Sequence, residues 1–258
     1  MGGKTVDLFM FMGQSNMAGR GIVTPEHPEP APELIPNAGY EYRAVSDPGK
    51  LVPISEPFGR AENRRGGIDD GDMKTGSMVT AFVNAYYTRT GVPVVGVSAS
   101  KGGSVISQWR PGGAYLTDAI DRLGSAADFL RGNGVAVRHR FMLWCQGESD
   151  ADIGNTGTAY TRDFTHMLDA MTSHGIERCF LVQIGRFNGT GRTYAPMREL
   201  QDRIAAENEH VTTASRLFEE MKERGLMKDS FHYFQQAYNE VGRDAGKNTA
   251  EYVLATAR

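Results

Sequence analysis

Five short apolar runs, separated by longer amphipathic stretches, constrain most strongly what this chain can fold into. The runs occupy residues 6–12, 93–98, 140–145, 179–184 and 210–214. Several are rich in Val, Ile, Phe or Leu without polar alternation, as is typical of strands that are buried on both faces. Alternation of such strands with helices indicates a parallel sheet covered by helices on both sides. We therefore predict an α/β protein with a central parallel sheet of about five strands.

Apolar residues at three- and four-residue spacing predict helices between these strands. The stripes lie within residues 78–87, 116–130, 160–171, 197–204 and 238–253. Their methionines and aromatic residues are interpreted as core residues, not as parts of a cofactor site.

Residues 24–76 depart from this pattern. They hold eight of the eleven prolines and have no clear periodicity, which predicts a long irregular excursion. Irregular segments of this length are functional walls or lids, or are disordered. We favour a wall of a substrate site. Since the sequence contains no internal repeat and no convincing linker, we expect residues 1–258 to form a single domain.

Charge and composition exclude several classes of function. The 258 residues include 28 basic and 31 acidic side chains, for a net charge of −3, which argues against binding to nucleic acid or to an anionic membrane. The N-terminus lacks the features of a signal peptide, and no apolar stretch approaches ~18 residues. Cys145 and Cys179 lie in apolar segments, which favours a reducing compartment. We therefore expect a cytoplasmic protein, and the sequence does not indicate its oligomeric state.

A serine follows the first predicted strand directly, in the sequence Gly13-Gln14-Ser15-Asn16. Open α/β sheets bind ligands at the carboxyl ends of their strands, so Ser15 is a candidate nucleophile. From this tetrapeptide alone, a polar turn in which Ser15 or Asn16 caps the next helix is an equally good interpretation.

A base and its orienting acid are available near the C-terminus, where Asp229 and His232 are separated by three positions. One loop could let the carboxylate bind one imidazole nitrogen while the other faces Ser15. The spacing by itself also fits a helix cap with a surface histidine.

Acyl transfer further requires donors for the developing oxyanion. Gly103 and Gln146 each follow a predicted strand, and the carboxyl ends of parallel strands share one edge of the sheet. Ser15, Gly103 and Gln146 are therefore expected to converge.

Four blocks in this order carry a family resemblance. They are GQSNM at 13–17, KGGS at 101–104, WCQGESDA at 144–151 and DSFH at 229–232. In these blocks the chain resembles the SGNH-hydrolase superfamily, and within it the branch of sialate O-acetylesterase-like and acetylxylan-esterase-like enzymes, carbohydrate esterase family 6. The resemblance implies a flavodoxin-like three-layer α/β/α fold and hydrolysis of O-acetyl esters on carbohydrates without a metal or cofactor.

The resemblance also implies roles for individual residues. Ser15 matches the nucleophile, His232 the general base and Asp229 its orienting acid. The oxyanion hole corresponds to the backbone N–H groups of Ser15 and Gly103 and to the side chain of Gln146, which stands where much of the superfamily has Asn.

Four flanking residues are secondary candidates. Glu148 could be a second acid near His232 or could form an ion pair with an arginine. Gln14 and Asn16 could orient the nucleophile or satisfy backbone groups. Trp109 could present its ring to a sugar or could be buried. The other histidines lack metal-ligand spacing.

The sequence thus predicts a serine esterase that removes O-acetyl groups from a sugar or oligosaccharide by a Ser-His-Asp mechanism. Two alternatives stay open, an SGNH lipase or thioesterase and a non-catalytic carbohydrate-binding protein. The polar, proline-rich character of residues 24–76 favours a sugar ester over a long acyl chain.

Overall fold

A seven-stranded sheet forms the centre of the fold in the computed structural model, which describes residues 5–256. Its strands are β1 (Thr5–Gly13), β2 (Gly39–Tyr42), β3 (Leu51–Pro53), β4 (Val94–Ser100), β5 (Ala136–Cys145), β6 (Arg178–Val182) and β7 (Val211–Ser215). Across the sheet they run in the order β3-β2-β4-β1-β5-β6-β7. Neighbouring strands are parallel, except that β2 and β3 are antiparallel.

Helices cover both faces of the sheet. They are α1 (Ser15–Ala18), α2 (Val79–Thr90), α3 (Ala114–Gly132), α4 (Glu148–Asp152), α5 (Thr158–Ser173), α6 (Ala195–Glu207) and α7 (Gln235–Thr256). Apolar residues of α2 and α7 share one core cluster, and those of α3, α5 and α6 share the other. The predicted three-layer α/β/α arrangement is confirmed. Within residues 5–256, none of the helices is long and apolar enough to cross a membrane.

The central strand β1 explains why its sequence is a continuous apolar run. Leu8, Met10 and Met12 point into the α3/α5/α6 core. Phe9 and Phe11 point into the α2/α7 core. All five side chains are buried, because alternate residues of a strand face opposite sides and both sides carry helices.

The sheet is larger than the sequence predicts. The five apolar runs correspond to β1, β4, β5, β6 and β7, whereas β2 and β3 lie inside the segment 24–76 and were missed. These two strands have only four and three residues, and β3 lies at the sheet edge. A short edge strand is not buried on both faces and so does not need a continuous apolar run. The prediction of about five strands was therefore too low.

Buried side chains hold the irregular part of residues 24–76 against the sheet. The guanidinium of Arg122 in α3 donates to the backbone oxygens of Glu62 and Ser98, at 3.0 and 2.8 Å. The ammonium of Lys74 donates to the backbone oxygen of Gly59 and to the hydroxyl of Ser98, at 3.0 and 2.8 Å. These bonds satisfy carbonyl groups that lack a strand or helix partner.

Three strands end side by side at the edge that carries the site. Gly13, the last residue of β1, is in register with Ser100 of β4 and Cys145 of β5. Gly13 has a φ of +140°, and a Cβ there would lie 2.1 Å from the backbone oxygen of Cys145. Glycine is therefore required at position 13. Because the three strands end in register, the segments that follow β1, β4 and β5 are brought together.

Two glycines let α7 pack closely on α2. A Cβ on Gly242 would lie 2.3 Å from the backbone oxygen of Met78, and one on Gly246 would lie 2.3 Å from that of Phe82. In contrast, Gly124 in α3 has open space where a Cβ would be. The helix pair supports the loop before α7, which carries His232.

We expect Gly246→Ala to lower the free energy of unfolding by about 1–3 kcal/mol, because the new methyl group collides with the backbone of α2. The matched change Gly124→Ala should instead raise it by roughly 0.5–1 kcal/mol through helix propensity. Urea-induced unfolding followed by circular dichroism measures both. Equal effects of the two substitutions would contradict the close packing of α2 and α7.

Candidate active site

Ser15 lies where β1 ends and α1 begins. Its side chain is largely buried and lines a cavity of about 310 Å³. As the first residue of α1, it has a backbone N–H without an acceptor inside the helix. The hydroxyl and this N–H are thus the groups that Ser15 can offer to a ligand.

His232 and Asp229 lie in line with Ser15. The Nε2 atom of His232 is 2.9 Å from the Ser15 hydroxyl oxygen. Its Nδ1 atom is 2.9 Å from Oδ2 of Asp229. The carboxylate accepts the Nδ1 proton, which leaves Nε2 free to accept a proton from Ser15. The structure therefore brings together the three residues for which the sequence predicts nucleophile, base and acid.

Local hydrogen bonds shape the loop that carries this pair. The Oδ1 atom of Asp229 accepts from the backbone N–H groups of Phe231 and His232, at 3.0 and 2.8 Å. The backbone N–H of Lys228 donates to the oxygen of His232 at 3.0 Å, next to an isolated bridge between Met227 and Tyr233. The Asp-x-x-His spacing thus forms an aspartate-capped turn that also presents the imidazole.

Burial and neighbouring charges set the protonation of the pair. Burial lowers the pKa of His232 below its usual value, and the hydrogen bond and charge of Asp229 offset only part of this effect. For Asp229, burial acts to raise the pKa, but the backbone N–H groups and His232 outweigh it, so that the pKa is lowered. At neutral pH the imidazole is therefore neutral and the carboxylate is charged.

The side chain of Asn16 joins three separate segments. Its amide nitrogen donates to Oε1 of Glu148 at 2.5 Å and to the backbone oxygen of Phe231 at 3.0 Å. Its amide oxygen accepts from the hydroxyl of Tyr238 at 2.6 Å. Asn16 is completely buried. It thus fixes the Ser15 turn relative to the His232 loop and does not face a ligand.

Glu148 is buried at the start of α4 and lines the cavity. Burial raises its pKa to about 7, and the hydrogen bond from Asn16 opposes this rise. Its Oε2 atom has no hydrogen-bond partner among the residues that the structure describes. Among those residues Glu148 also forms neither an ion pair with arginine nor a hydrogen bond to His232. The ion pair with arginine is thus not observed among the described residues, whereas a role of Glu148 as a second acid stays a prediction, because it lines the same cavity as His232.

Gly103 lies in the loop that follows β4 and lines the cavity. Its φ is +71°, which favours glycine. The loop is held in place because the backbone N–H of Lys101 donates to the oxygen of Gly13 and that of Gly102 donates to Asp70, at 2.9 and 2.8 Å. The predicted convergence of Ser15 and Gly103 therefore agrees with the structure.

Gln146 does not fit its predicted role as an oxyanion donor. It is completely buried. Its amide nitrogen donates to the backbone oxygen of Ser104 at 3.1 Å and to Asp150 at 2.5 Å, and its amide oxygen accepts from Tyr160 at 2.9 Å. Both N–H bonds are thus used inside the protein. The amide connects the loop after β4 with α4, because these neighbouring segments leave buried polar groups to be satisfied.

Gln14, unlike Gln146, lines the cavity. Its amide oxygen accepts from the backbone N–H groups of Gly147 and Ser149, at 3.1 and 3.3 Å. The oxygen is thereby turned toward the loop after β5, which leaves the amide nitrogen for the cavity that Gln14 lines. The sequence identified Gln14 only as a secondary candidate, since adjacency to Ser15 does not reveal side-chain direction.

Trp109 is buried, contrary to its interpretation as an exposed sugar platform. Its relative exposure is 0%, and its indole N–H donates to the hydroxyl of Ser104 at 3.1 Å. The ring packs edge-on against Trp144, with centroids 5.4 Å apart. The alternative of a packing role, which the sequence left open, is the one observed.

Most of the side chains that line the cavity are polar. Arg20 donates to Asp70 at 2.6 Å, and both side chains line the cavity together with Lys101. Met73 and Phe231 supply apolar side chains. Asp70 and Met73 come from the segment 24–76, so part of this segment does form a wall of the cavity. The sequence could not identify Arg20 and Asp70, because charged residues separated by fifty positions carry no local signal.

Within residues 5–256, no three His, Cys, Asp or Glu side chains are grouped so as to hold a metal ion.

Comparisons with known proteins agree with this architecture. The family model "Carbohydrate esterase, sialic acid-specific acetylesterase" matches residues 5–251. A search of curated proteins gave no match.

Several solved structures have a similar fold. A protein from Arabidopsis thaliana aligns with a TM-score of 0.68 at 22% identity, over 96% of this chain and 98% of its own. A carbohydrate acetylesterase from Xanthomonas citri aligns with a TM-score of 0.56 at 17% identity, over 98% of this chain and 57% of its own. A mutant of an acetyl-xylooligosaccharide esterase from Geobacillus aligns with a TM-score of 0.50 at 12% identity, over 95% of this chain and 94% of its own.

The family match spans the whole sheet and every block around the cavity, from Ser15 to His232. The predicted branch of sialate O-acetylesterase-like carbohydrate esterases is thereby confirmed. The chain belongs to the carbohydrate esterase family of sialic acid-specific acetylesterases and is a carboxylic ester hydrolase.

Proposed function

We propose that this carbohydrate esterase removes O-acetyl groups from sugars by a two-step mechanism in which Ser15 is the nucleophile. The observation that carries the proposal is the chain of two 2.9 Å contacts from the Ser15 hydroxyl through His232 to Asp229. This chain lies at a cavity large enough for a small ligand, with a volume of about 310 Å³. Binding alone would not require an oriented imidazole beside a serine, which argues against a non-catalytic protein.

In the first step, Nε2 of His232 takes the Ser15 hydroxyl proton while the serine oxygen attacks the acetyl carbonyl carbon. The bond between this carbon and the sugar oxygen then breaks. The sugar oxygen leaves with the proton that His232 holds. In the second step, His232 removes a proton from water while the water oxygen attacks the carbonyl carbon of the acyl-enzyme. The bond between this carbon and the Ser15 oxygen then breaks, and the Ser15 oxygen takes back the proton that His232 holds. The product is acetic acid, which ionises to acetate, and Ser15 and neutral His232 are regenerated.

The oxyanion of each tetrahedral intermediate needs donors. We assign this role to the backbone N–H groups of Ser15 and Gly103 and to the amide nitrogen of Gln14. Gln14 replaces Gln146 in this proposal, because the N–H bonds of Gln146 are already used by Ser104 and Asp150. Gly147 and Ser149 hold the Gln14 amide in place before the substrate binds, which reduces the reorganisation needed during the reaction.

The cavity wall favours a sugar ester over a long-chain ester. Arg20, Asp70, Lys101 and Ser149 offer hydrogen-bonding groups that suit hydroxylated substrates. A lipase or thioesterase would instead require an extended apolar wall for the acyl chain. The small acetyl group fits a cavity to which only Met73 and Phe231 contribute large apolar side chains.

We expect Ser15→Ala to lower kcat by at least about 10⁴-fold, because the nucleophile is lost. The measurement is hydrolysis of p-nitrophenyl acetate, together with acetate release from acetylated sialic acid and acetylated xylo-oligosaccharides. The control Ser125→Ala, on the exposed side of α3, should retain wild-type kcat. Turnover by a folded Ser15→Ala variant at the wild-type rate would refute the nucleophile assignment.

The two glutamines should differ in their effects. Gln14→Ala is expected to lower kcat by about 10²–10³-fold, since an oxyanion donor is removed. Gln146→Ala should act mainly on the thermal unfolding midpoint, because Asp150 and Tyr160 each lose one buried hydrogen-bond partner. Steady-state kinetics and thermal unfolding of both variants compare these effects. A larger loss of kcat in Gln146→Ala, at an unchanged unfolding midpoint, would restore the role predicted from the sequence.

The pH profile should reflect the lowered pKa of His232. A base works in its neutral form, so kcat/KM should rise with pH and reach its plateau with a midpoint below 6.5, the ordinary value for histidine. The nearby charge of Lys228 contributes to this lowering. Lys228→Gln should therefore move the midpoint to higher pH. Profiles of p-nitrophenyl acetate hydrolysis measure both midpoints, and a wild-type midpoint above 6.5 would contradict the assigned environment.

A further inference from the structure

A second depression adjoins the catalytic cavity. It has a volume of about 630 Å³ and shares one lining residue, Lys101, with the catalytic cavity. Asp69, Gln108 and Tyr115 supply its larger side chains, and glycines make up much of the remaining wall. We call this depression the Tyr115 groove. Because Lys101 belongs to both walls, the catalytic cavity and the Tyr115 groove are neighbours at this residue.

An aromatic side chain is held in position at the groove. Tyr115 is half-buried, and its ring lies against the buried ring of Trp109, with centroids 5.5 Å apart and planes inclined by 58°. Trp109 is itself fixed by its bond to the hydroxyl of Ser104 at 3.1 Å. Trp109 therefore supports the aromatic ring that reaches the groove, although it does not reach the groove itself.

Two polar side chains of the groove, Gln108 and Asp69, each use one oxygen in a hydrogen bond to the backbone and direct a second polar atom to a ligand. The amide oxygen of Gln108 accepts from the backbone N–H of Val105 at 2.9 Å, which orients its amide nitrogen. The Oδ1 atom of Asp69 accepts from the backbone N–H of Gly71 at 3.0 Å, which orients its Oδ2 atom. Both side chains are exposed. An amide donor, a carboxylate acceptor and an aromatic ring together suit the hydroxyl groups and the apolar C–H face of a sugar.

We propose that the Tyr115 groove binds a second sugar unit of an acetylated oligosaccharide whose acetylated unit lies at Ser15. This inference rests on the function proposed above and adds to it a binding site for a second sugar unit. Tyr115 packs against one face of the sugar ring, while Gln108 and Asp69 bind its hydroxyl groups. A fatty acyl chain is a poorer occupant, because no Leu, Ile, Val, Met or Phe side chain stands among the described residues that line the groove.

The test compares substrates of different length. The substrates are acetylated methyl xyloside and acetylated xylotriose, acetylated methyl glucoside and acetylated cellotriose, and p-nitrophenyl acetate, which occupies the catalytic cavity alone. For at least one sugar, wild-type kcat/KM should be about tenfold higher for the trisaccharide than for the monosaccharide, a difference of about 1.4 kcal/mol. Tyr115→Ala should remove most of this advantage through a higher KM. The matched variant Tyr115→Phe keeps the ring and should retain the advantage.

A second variant avoids the packing of Tyr115 on Trp109. Asp69→Ala changes an exposed side chain and should lower the trisaccharide advantage by about threefold through loss of one hydrogen bond. Thermal unfolding of each variant, and its kcat/KM for p-nitrophenyl acetate, measure any general damage to the fold. We expect each substitution, Tyr115→Ala or Asp69→Ala, to lower kcat/KM for the trisaccharide by a larger factor than kcat/KM for p-nitrophenyl acetate.

Each contrary result has a distinct meaning. Equal kcat/KM for mono- and trisaccharides of both sugars, with p-nitrophenyl acetate still hydrolysed through Ser15, overturns the sugar subsite alone. No turnover of any acetylated sugar tested, sialic acid included, would contradict both the subsite and the proposed sugar substrate. If the Tyr115→Ala variant still has a higher kcat/KM for the trisaccharide than for the monosaccharide, by the wild-type factor, the sugar subsite is also overturned. A selective loss of p-nitrophenyl octanoate turnover in Tyr115→Ala would assign the groove to an acyl chain. Failure of the wild-type protein to hydrolyse p-nitrophenyl acetate would overturn the proposed function and the subsite together.

Discussion

The buried amide of Asn16 is the contact on which the arrangement of the site depends. It binds Glu148 from the block after β5, Phe231 from the loop before α7, and Tyr238 within α7. These segments are far apart in the sequence, and each carries part of the cavity. An amide in a dry interior must have its donors and acceptor satisfied together, so its three partners are held in one arrangement. The distance between Ser15 and His232 follows from this arrangement.

The same burial determines the electrostatics near Ser15. Glu148 accepts from Asn16 but is otherwise enclosed, and burial raises its pKa to about 7. Asp229 lies in a more open loop and is stabilised as a carboxylate by backbone N–H groups. One carboxyl group is thus partly protonated near neutral pH, while the other remains charged and supports His232. The pKa values of Glu148 and Asp229 differ because of solvation and hydrogen bonding, since both side chains are carboxyl groups.

Several features could be predicted from the sequence because their signals are local. The apolar runs that became β1, β4, β5, β6 and β7 reflect burial on both faces of a sheet. The residues that follow these strands share one edge, so convergence of Ser15 with Gly103 could also be predicted. The short strands β2 and β3 were missed, because three or four residues without a continuous apolar run do not differ from loop sequence.

Side-chain direction and burial could not be predicted in the same way. Gln14 and Gln146 are the same residue type beside neighbouring strand ends, yet the first lines the cavity and the second satisfies buried groups of Ser104 and Asp150. Trp109 is buried, and Tyr115, six positions later, reaches the surface. The sequence by itself determined the layer architecture and the family, because both follow from local patterns and motifs. Only the tertiary structure decided which polar and aromatic groups face the ligand, since this depends on partners brought together from distant parts of the chain.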